Sequence, residues 1–326
     1  LRLGYGYIPG SDRLRNAIAA YYEKQTAANT LVTHGTIGAN HLVHHTLVSR
    51  GDEVISLVPT YKQHPSIPES IGAHVKQLQL KPENQFLPDL DELQALITPN
   101  TKLIALTNPN NPTGALIQHD MLQKIVDMAR KVGAWILCDE VYRGIDQIGD
   151  GTTSSIADLY EKGISTAGMS KTFSLAGLRL GWVVAPEDLI EAVMIHRDYN
   201  TISIGVINDH FAALALENHS AILQRSRAIT RTNLEILADW VEEEPLISWV
   251  KPQSGTTALL KYHLYMPSYE FCVQLLEETG VMFTPGSVMG MEGYLRIGFG
   301  NDTKVLKTGL PLVSQFLLKH AEMENS

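Results

Sequence analysis

The sequence predicts an α/β fold in which a mostly parallel central sheet, flanked by helices, is joined to a smaller α+β unit. Three observations predict it. From Gly10 to about residue 185, helix-like stretches alternate with short apolar runs that end in Pro, Gly, Asn or Asp. After Pro186 the pattern turns helical for a long stretch before short strand-like runs return. The chain also has 326 residues, more than the ~150 that one core usually organises. Such alternation marks a parallel sheet covered by helices.

Seven runs read as strands: TLVTHG from Thr30, EVISLVP from Glu53, HVKQLQL from His74, KLIALTNP from Lys102, AWILCDE from Ala134, ISTAGMSK from Ile164 and GWVVAP from Gly181. Between most of them lie amphipathic segments, residues 11–25, 38–49, 62–72, 89–98 and 118–132, each predicted to be a helix. Asp89 can cap the fourth of these, and Gly133 after Lys131 stops the fifth. LIEAVMIHRDY continues the helical pattern, and from about Asn208 to Glu242 no Pro or Gly interrupts it. One helix of that length would bridge two bodies. ISWVKPQSGTTALLKYHL, a helix over Ser268–Thr279, VMFTPGS, GYLRIGFG and a terminal helix make up the smaller unit. The boundary is expected near residue 215, giving a large unit over 1–215 and a small one over 216–326. IGDGTTSS from Ile148 is a surface loop.

Composition narrows the function. Apolar residues make up 44% and charged residues 19%, as in an ordinary globular protein. With 26 basic against 35 acidic residues the net charge is −9, and no dense Lys/Arg stripe occurs, which argues against nucleic acid or an anionic membrane as the main partner. A small-molecule enzyme fits better. No apolar run approaches the roughly 20 residues of a membrane span, and the first residues do not form a signal peptide. The two cysteines, Cys138 and Cys272, read as core thiols of a cytoplasmic protein.

In an open parallel sheet the ligand sits beyond the carboxyl ends of the strands, and the unusual residues of this chain cluster there. Gly35-Thr36-Ile37-Gly38 after the first run is a tight turn or, at a helix amino terminus, an anion site where unpaired N–H groups and the helix dipole favour phosphate. In NPNNPTG two prolines lock a loop, which is either simply rigid or serves to pre-position Asn111. Asp139 follows the apolar run WILC and should be buried, so it requires a cationic or donor partner; a protonated ring nitrogen would be one. Lys171 in GMSKTFSLAGLRLGW is either a solvated lysine or, among Ser170, small residues and Arg179, an amine nucleophile of lowered pKa. His34, His41, His44, His45 and His64 cluster in sequence without an acidic third ligand, so no metal site is expected. His34 and His64 flank the turn residues and are expected to line the pocket.

NPNNPTG, DEVYRG and SKTFSLAGLRLGW, in this order and spacing, resemble the class I/II aminotransferases among the fold-type I pyridoxal-phosphate enzymes, and the resemblance runs from YGYIPGSDRLR to GYLRIGFG. It implies that Lys171 forms the Schiff base with the cofactor and moves the proton at the substrate Cα. It implies that Asp139 pairs with the pyridine nitrogen, and that Asn111 and Tyr142 hydrogen-bond the ring's phenolic oxygen. Tyr61 in PTYKQH would stack on the ring, while Gly35, Thr36, Ile37, Ser170 and Arg179 would hold the phosphate. Arg296 in YLRIGFG would grip the substrate carboxylate in a bidentate fork, beside Asn111. Tyr5 matches the tyrosine that reaches the neighbouring subunit's phosphate, which implies a homodimer with shared sites acting on amino acids and 2-oxo acids.

Two features depart from the family. Gly168 stands where many relatives have serine, and the several tens of residues that family members carry before the tyrosine of YGYIPG are absent, so the chain reads as shortened at its amino end. Because Arg296 would fix the carboxylate and leave Cα–H labile, transamination or elimination is favoured over decarboxylation. A carbon–sulfur lyase of the same fold, or a non-catalytic cofactor-binding domain, is the alternative.

Overall fold

The computed structural model describes residues 1–324. Every run read as a strand is one: β1 (Thr30–Thr33), β2 (Glu53–Val58), β3 (His74–Gln79), β4 (Thr101–Thr107), β5 (Trp135–Asp139), β6 (Gly163–Gly168) and β7 (Gly181–Val184). They form one sheet in the order β1-β7-β6-β5-β4-β2-β3. Among them only β7 runs against the rest, pairing antiparallel with both β1 and β6. The central strands β4, β5 and β6 are buried on both faces, whereas β3, at the edge, is largely exposed; a doubly covered parallel sheet produces this contrast. Along β5 the side chains alternate between two cores. Ile136 and Cys138 join Ile55, Ile104 and Leu106 on one face, and Leu137 joins Leu31, Leu103 and Val183 on the other.

The helices that cover this sheet are α1 (Asp12–Ala19), α2 (Gly35–Leu47), α3 (Gln63–Ile71), α4 (Leu90–Leu96), α5 (His119–Val132), the single turn α6 (Ile156–Leu159), α7 (Glu187–Asp198) and α8 (Val206–Glu217). The Asp89 carboxylate accepts from the N–H groups of Asp91 and Glu92 at 2.9 and 3.0 Å, so it caps α4 as its sequence position predicts. Gly133 ends α5 in the left-handed region at φ 71°.

Two helix expectations are corrected. The segment 11–25 is helical only to Ala19, because the Asp158 carboxylate accepts the backbone N–H groups of Glu23 and Lys24, each at 3.0 Å, and draws the chain away from the helix axis. The long helix expected from Asn208 to Glu242 is two helices, α8 and α9 (His219–Glu243), broken at Asn218. The Asn218 amide donates back to the Leu214 carbonyl at 2.8 Å, the local side-chain bond that lets Asn leave helical geometry.

The smaller sheet contains β8 (Ile247–Trp249), β9 (Thr257–Tyr262), β10 (Thr284–Pro285) and β11 (Tyr294–Gly298), all antiparallel, in the order β10-β11-β9-β8. Helices α10 (Ser268–Thr279) and α11 (Thr303–Glu324) complete this unit. Helix α9 belongs to both cores. Leu223 packs with Leu14, Phe173 and Trp182, and Leu234 and Leu237 pack with Leu260, Phe271 and Leu295. Residue 215 therefore lies inside α8, ahead of the changeover.

The two sheets are stapled near the loop that follows β5. Ser254 donates its hydroxyl to the Asp146 carboxylate at 2.7 Å, and Arg231 of α9 donates to the backbone carbonyls of Asp146 and Gly149. Burial pushes the Asp146 carboxyl up to about 6, partly offset by the Ser254 hydrogen bond. The folded carboxyl thus holds its proton more tightly than the unfolded one. Ionisation costs stability as pH climbs from about 4 to about 6, and the full cost persists above that. Asp146→Asn, which keeps the acceptor without the charge, is expected to melt higher than the wild type at pH 8 and at the same temperature at pH 4; calorimetry at the two pH values measures it.

Candidate active site

The carboxyl ends of β2, β4, β5 and β6 and the amino terminus of α2 face β11 across a cavity of about 680 Å³. It is lined by Thr36, Ile37, Tyr61, Asn111, Asp139, Tyr142, Ser170, Lys171, Arg179 and Arg296, ten of the residues that the sequence singled out. Gly35 does not line it but shapes it. At φ 67° Gly35 opens α2, and a Cβ there would lie 3.0 Å from the Arg179 guanidinium. Tyr5 is apart from these residues: it is 91% exposed and borders a separate recess with Gly4, Gly6 and residues 200–205.

Asp139 closes the floor, only 5% exposed. Its Oδ2 accepts from the Asn40 amide at 2.8 Å, and its Oδ1 accepts from the Val141 N–H at 3.1 Å. The Thr166 hydroxyl donates to Asn40 Oδ1 at 2.6 Å, which fixes the amide so that its N–H₂ faces the carboxylate. His64 does not line the cavity, and neither does His34. Instead His64 is buried behind the carboxylate, with Nε2 3.7 Å from Asp139 Oδ2 and Nδ1 3.4 Å from Nε2 of the buried His44. Burial holds His44 well below the usual histidine range, with the neighbouring His64 adding to the effect. The rings of His41 and His45 lie 4.3 Å apart on α2, and no group of three metal-ligating side chains is found among the described residues.

At the other end α2 begins without a side-chain cap, so its first N–H groups are open. Arg179, itself in the left-handed region, donates to the Ala176 carbonyl at 2.9 Å and to the Ser170 hydroxyl at 3.4 Å. The first turn of α2 sits against β6 and β7 because two glycines admit it. A Cβ on Gly181 would lie 2.5 Å from the Thr36 nitrogen, and one on Gly168 would lie 2.7 Å from the Thr36 hydroxyl. That hydroxyl is buried and has no hydrogen-bond partner. Gly168 therefore leaves the space that the Thr36 hydroxyl occupies.

Lys171 lies between these two ends, and its side-chain amine has no hydrogen bond or ion pair among the described residues. Burial lowers its pKa, and the nearby guanidinium groups of Arg296 and Arg179 lower it further. On the far wall Arg296 donates through Nη1 to Asn111 Oδ1 at 3.3 Å and through Nη2 to Thr284 Oγ1 at 3.1 Å. Both partners are neutral, so the guanidinium is aimed without being neutralised. Sequence reading missed Asn40, Thr256, Thr257, Met282, Thr284 and Asn301, all of which line the cavity. Only Asn40 carried a signal, four residues after Thr36 and hence on the same face of α2.

The sequence profile of the family "Aminotransferase class I and II" matches residues 1–310. The chain belongs to that family. It is 31% identical over 313 residues to the capreomycidine synthase of Streptomyces vinaceus, covering 96% of this chain and 80% of that protein. It is 27% identical to an S-alkyl-thiohydroximate lyase of Arabidopsis thaliana, covering 99% of this chain and 75% of that one. Among solved structures, a PLP-dependent aminotransferase from Streptococcus suis superposes with a TM-score of 0.95 at 43% identity, covering 98% of this chain and 85% of that chain.

The packing of this aminotransferase-family chain at Gly168 predicts a cost for a serine at that position. Gly168→Ser would drive a Cβ into the Thr36 hydroxyl and, at 2.9 Å, into the Leu180 carbonyl, which should lower stability by roughly 1–3 kcal/mol. Adding Thr36→Ala should recover part of that loss, because one of the two clashes is gone; thermal melts of the single and double variants measure it.

Proposed function

We propose that the cavity binds pyridoxal phosphate and that the protein transfers an amino group from an L-amino acid to a 2-oxo acid. The observation that carries this reading is the unpaired Lys171 amine between the Asp139 floor, the Arg179 end and the Arg296 wall of one cavity. The residues fit the cofactor. The orphaned Thr36 hydroxyl, the uncapped start of α2, Ser170 and Arg179 suit a phosphate. Asp139, held by donors on one side and open to the cavity on the other, suits a protonated ring nitrogen. Tyr61 would wall the ring face, and Asn111 and Tyr142 would offer donors to the phenolic oxygen; all three line the cavity.

When bound, pyridoxal phosphate supplies an aldehyde for an amine and an electron sink for the bonds at Cα. The chain's own residues do the rest. The lowered pKa of Lys171 raises the fraction present as free amine at neutral pH, the form that would hold the cofactor at its aldehyde and would take or return the proton at the substrate Cα. Asp139 keeps a positive charge favourable at the ring nitrogen. Arg296, oriented by Asn111 and Thr284, clamps the substrate carboxylate and leaves Cα–H as the labile bond.

A second reading, a carbon–sulfur lyase, draws on the likeness to the Arabidopsis lyase. The neighbouring subunit's site is proposed to receive Tyr5 in a homodimer; the exposed Tyr5, Tyr7, Tyr199 and Ile202 around it support this. We place the division between the two units within α9, where its core contacts change, and the protein in the cytoplasm, in keeping with its two free, buried cysteines.

Visible absorbance on adding pyridoxal phosphate, lost in Lys171→Ala, is the expected outcome; a wild-type chain without it would refute the cofactor reading. Adding an amino acid should bleach that band toward the pyridoxamine form, whereas release of ammonia and pyruvate would favour the lyase. A panel of amino donors assayed with 2-oxoglutarate identifies the substrate. Arg296→Ala should raise KM by at least ~30-fold, since breaking a buried charge-assisted pair costs about 2–5 kcal/mol; an unchanged KM would overturn the carboxylate assignment.

A further inference from the structure

The wall that carries Arg296 also carries a methionine. In the segment leading into β10 the side chains alternate: Phe283 is buried in the core of the smaller unit, whereas Met282 and Thr284 on either side of it line the cavity. Thr284 stands opposite Arg296 in the β10–β11 ladder and accepts from its Nη2 at 3.1 Å. Met282 therefore lies two residues from the group that aims the carboxylate fork, at most about 7 Å along the chain. Glycines hold this wall against the larger unit. A Cβ on Gly114 would lie 2.5 Å from Pro252 Cβ, and one on Gly300 would lie 2.9 Å from the Thr256 methyl group. In the connector between β8 and β9, the N–H groups of Gln253 and Ser254 donate to the Gly114 carbonyl at 2.8 and 3.0 Å.

The lining changes character from floor to mouth. Thr107, Asp139 and Thr257 are buried polar groups, whereas three large apolar or aromatic side chains of the lining, Ile37, Tyr61 and Met282, are exposed, Met282 to 76%. One exposed apolar side chain needs no explanation, but three around one cavity offer an apolar contact to what enters it. Tyr61 is taken up by the ring face and Ile37 belongs to the phosphate end, which leaves Met282 beside the carboxylate clamp. Among the described residues, the charged groups that line the cavity are Asp139, Lys171, Arg179 and Arg296. Each is engaged by the ring nitrogen, the aldehyde, the phosphate or the α-carboxylate. A second substrate carboxylate would meet the Met282 thioether and shed water without a cation to receive it, which is costly. The recess that Tyr5 borders, on the face proposed to meet the partner subunit, is lined by Gly4, Gly6 and residues 200–205, all uncharged.

We propose that Met282 is a specificity-determining residue and that the amino donor carries an apolar side chain, which lies against the Met282 thioether while Arg296 holds the α-carboxylate. The inference rests on the cofactor reading above. An unbranched thioether adapts to aliphatic and aromatic partners alike, so the contact selects for length and apolarity rather than for one side-chain shape. A one-carbon side chain is too short to make it, and a distal carboxylate is rejected by the loss of its water.

Binding to the cofactor-loaded protein tests this, read from the change in cofactor absorbance with 2-methyl amino acids, which have no Cα–H to lose. The wild type should bind 2-methylleucine and 2-methylphenylalanine at least about tenfold more tightly than 2-methylalanine or 2-methylaspartate, the effect of removing roughly two methylene groups from water. Met282→Ala should weaken the two apolar ligands by about five- to tenfold and leave 2-methylalanine within about twofold. Met282 is exposed, so its truncation leaves the core in place. Tighter binding of 2-methylaspartate than of the apolar ligands would overturn the proposal and leave the cofactor reading intact. So would a Met282→Ala variant whose apolar ligands bind as in the wild type, or weaken no more than 2-methylalanine does. A wild-type chain with no cofactor absorbance would overturn both.

Discussion

The structure is organised around a carboxylate that must be buried and must not be alone. Asp139 ends the central strand β5 and is only 5% exposed, so an ion there without partners would be strongly unfavourable. Donors from two directions hold it, the Asn40 amide of α2 and the Val141 N–H. The first of these requires α2 to lie close over the sheet, and that closeness requires glycine at 168 and 181. Bringing α2 in also brings its open first turn and the Thr36 hydroxyl to one end of the cavity. Supplying donors to one buried carboxylate and creating one anion-friendly helix end are therefore two results of a single packing decision.

The second constraint is that half of the site belongs to another sheet. Arg296 stands on β11, yet its fork is aimed by Asn111 from the turn after β4 and by Thr284 from β10. Tyr142 stands in the turn after β5, yet its ring meets Gly255 from the connector between β8 and β9. Each side of the cavity thus carries a side chain whose orientation the other side completes. The staples at Asp146 and Gly114 hold that arrangement, and α9, shared by both cores, sets the distance between the sheets.

Legibility followed the range of the forces involved. Strands were readable because burial on both faces demands uninterrupted apolar runs, and a terminal polar residue marks where each run leaves the core. Helix ends were readable where the cap was local, as at Asp89 and Gly133. They were misread where a distant group intervened: Asp158 claims the N–H groups of Glu23 and Lys24 across more than a hundred residues of sequence. The break at Asn218 was local, but it carried neither of the two signals, Pro or Gly, that mark most helix ends, and Asn can also sit within a helix.

For the site, residue chemistry at strand ends was enough to single out Asn111, Asp139 and Lys171, with Arg179 near the last, whereas Arg296 was named only through the resemblance to the aminotransferases. The sequence by itself determined the α/β class, the order of the strands along the chain, and the gathering of polar residues at the carboxyl ends of the strands. Only the tertiary structure decided the lateral order of the strands, the place of His64 behind Asp139 rather than in the cavity, and the approach of Gly255 to the Tyr142 ring. The physical reason is that these depend on close approach between segments far apart in the chain. Such approaches are licensed by the missing Cβ of Gly114, Gly168, Gly181 and Gly300, and a glycine in a sequence does not say which neighbour it admits.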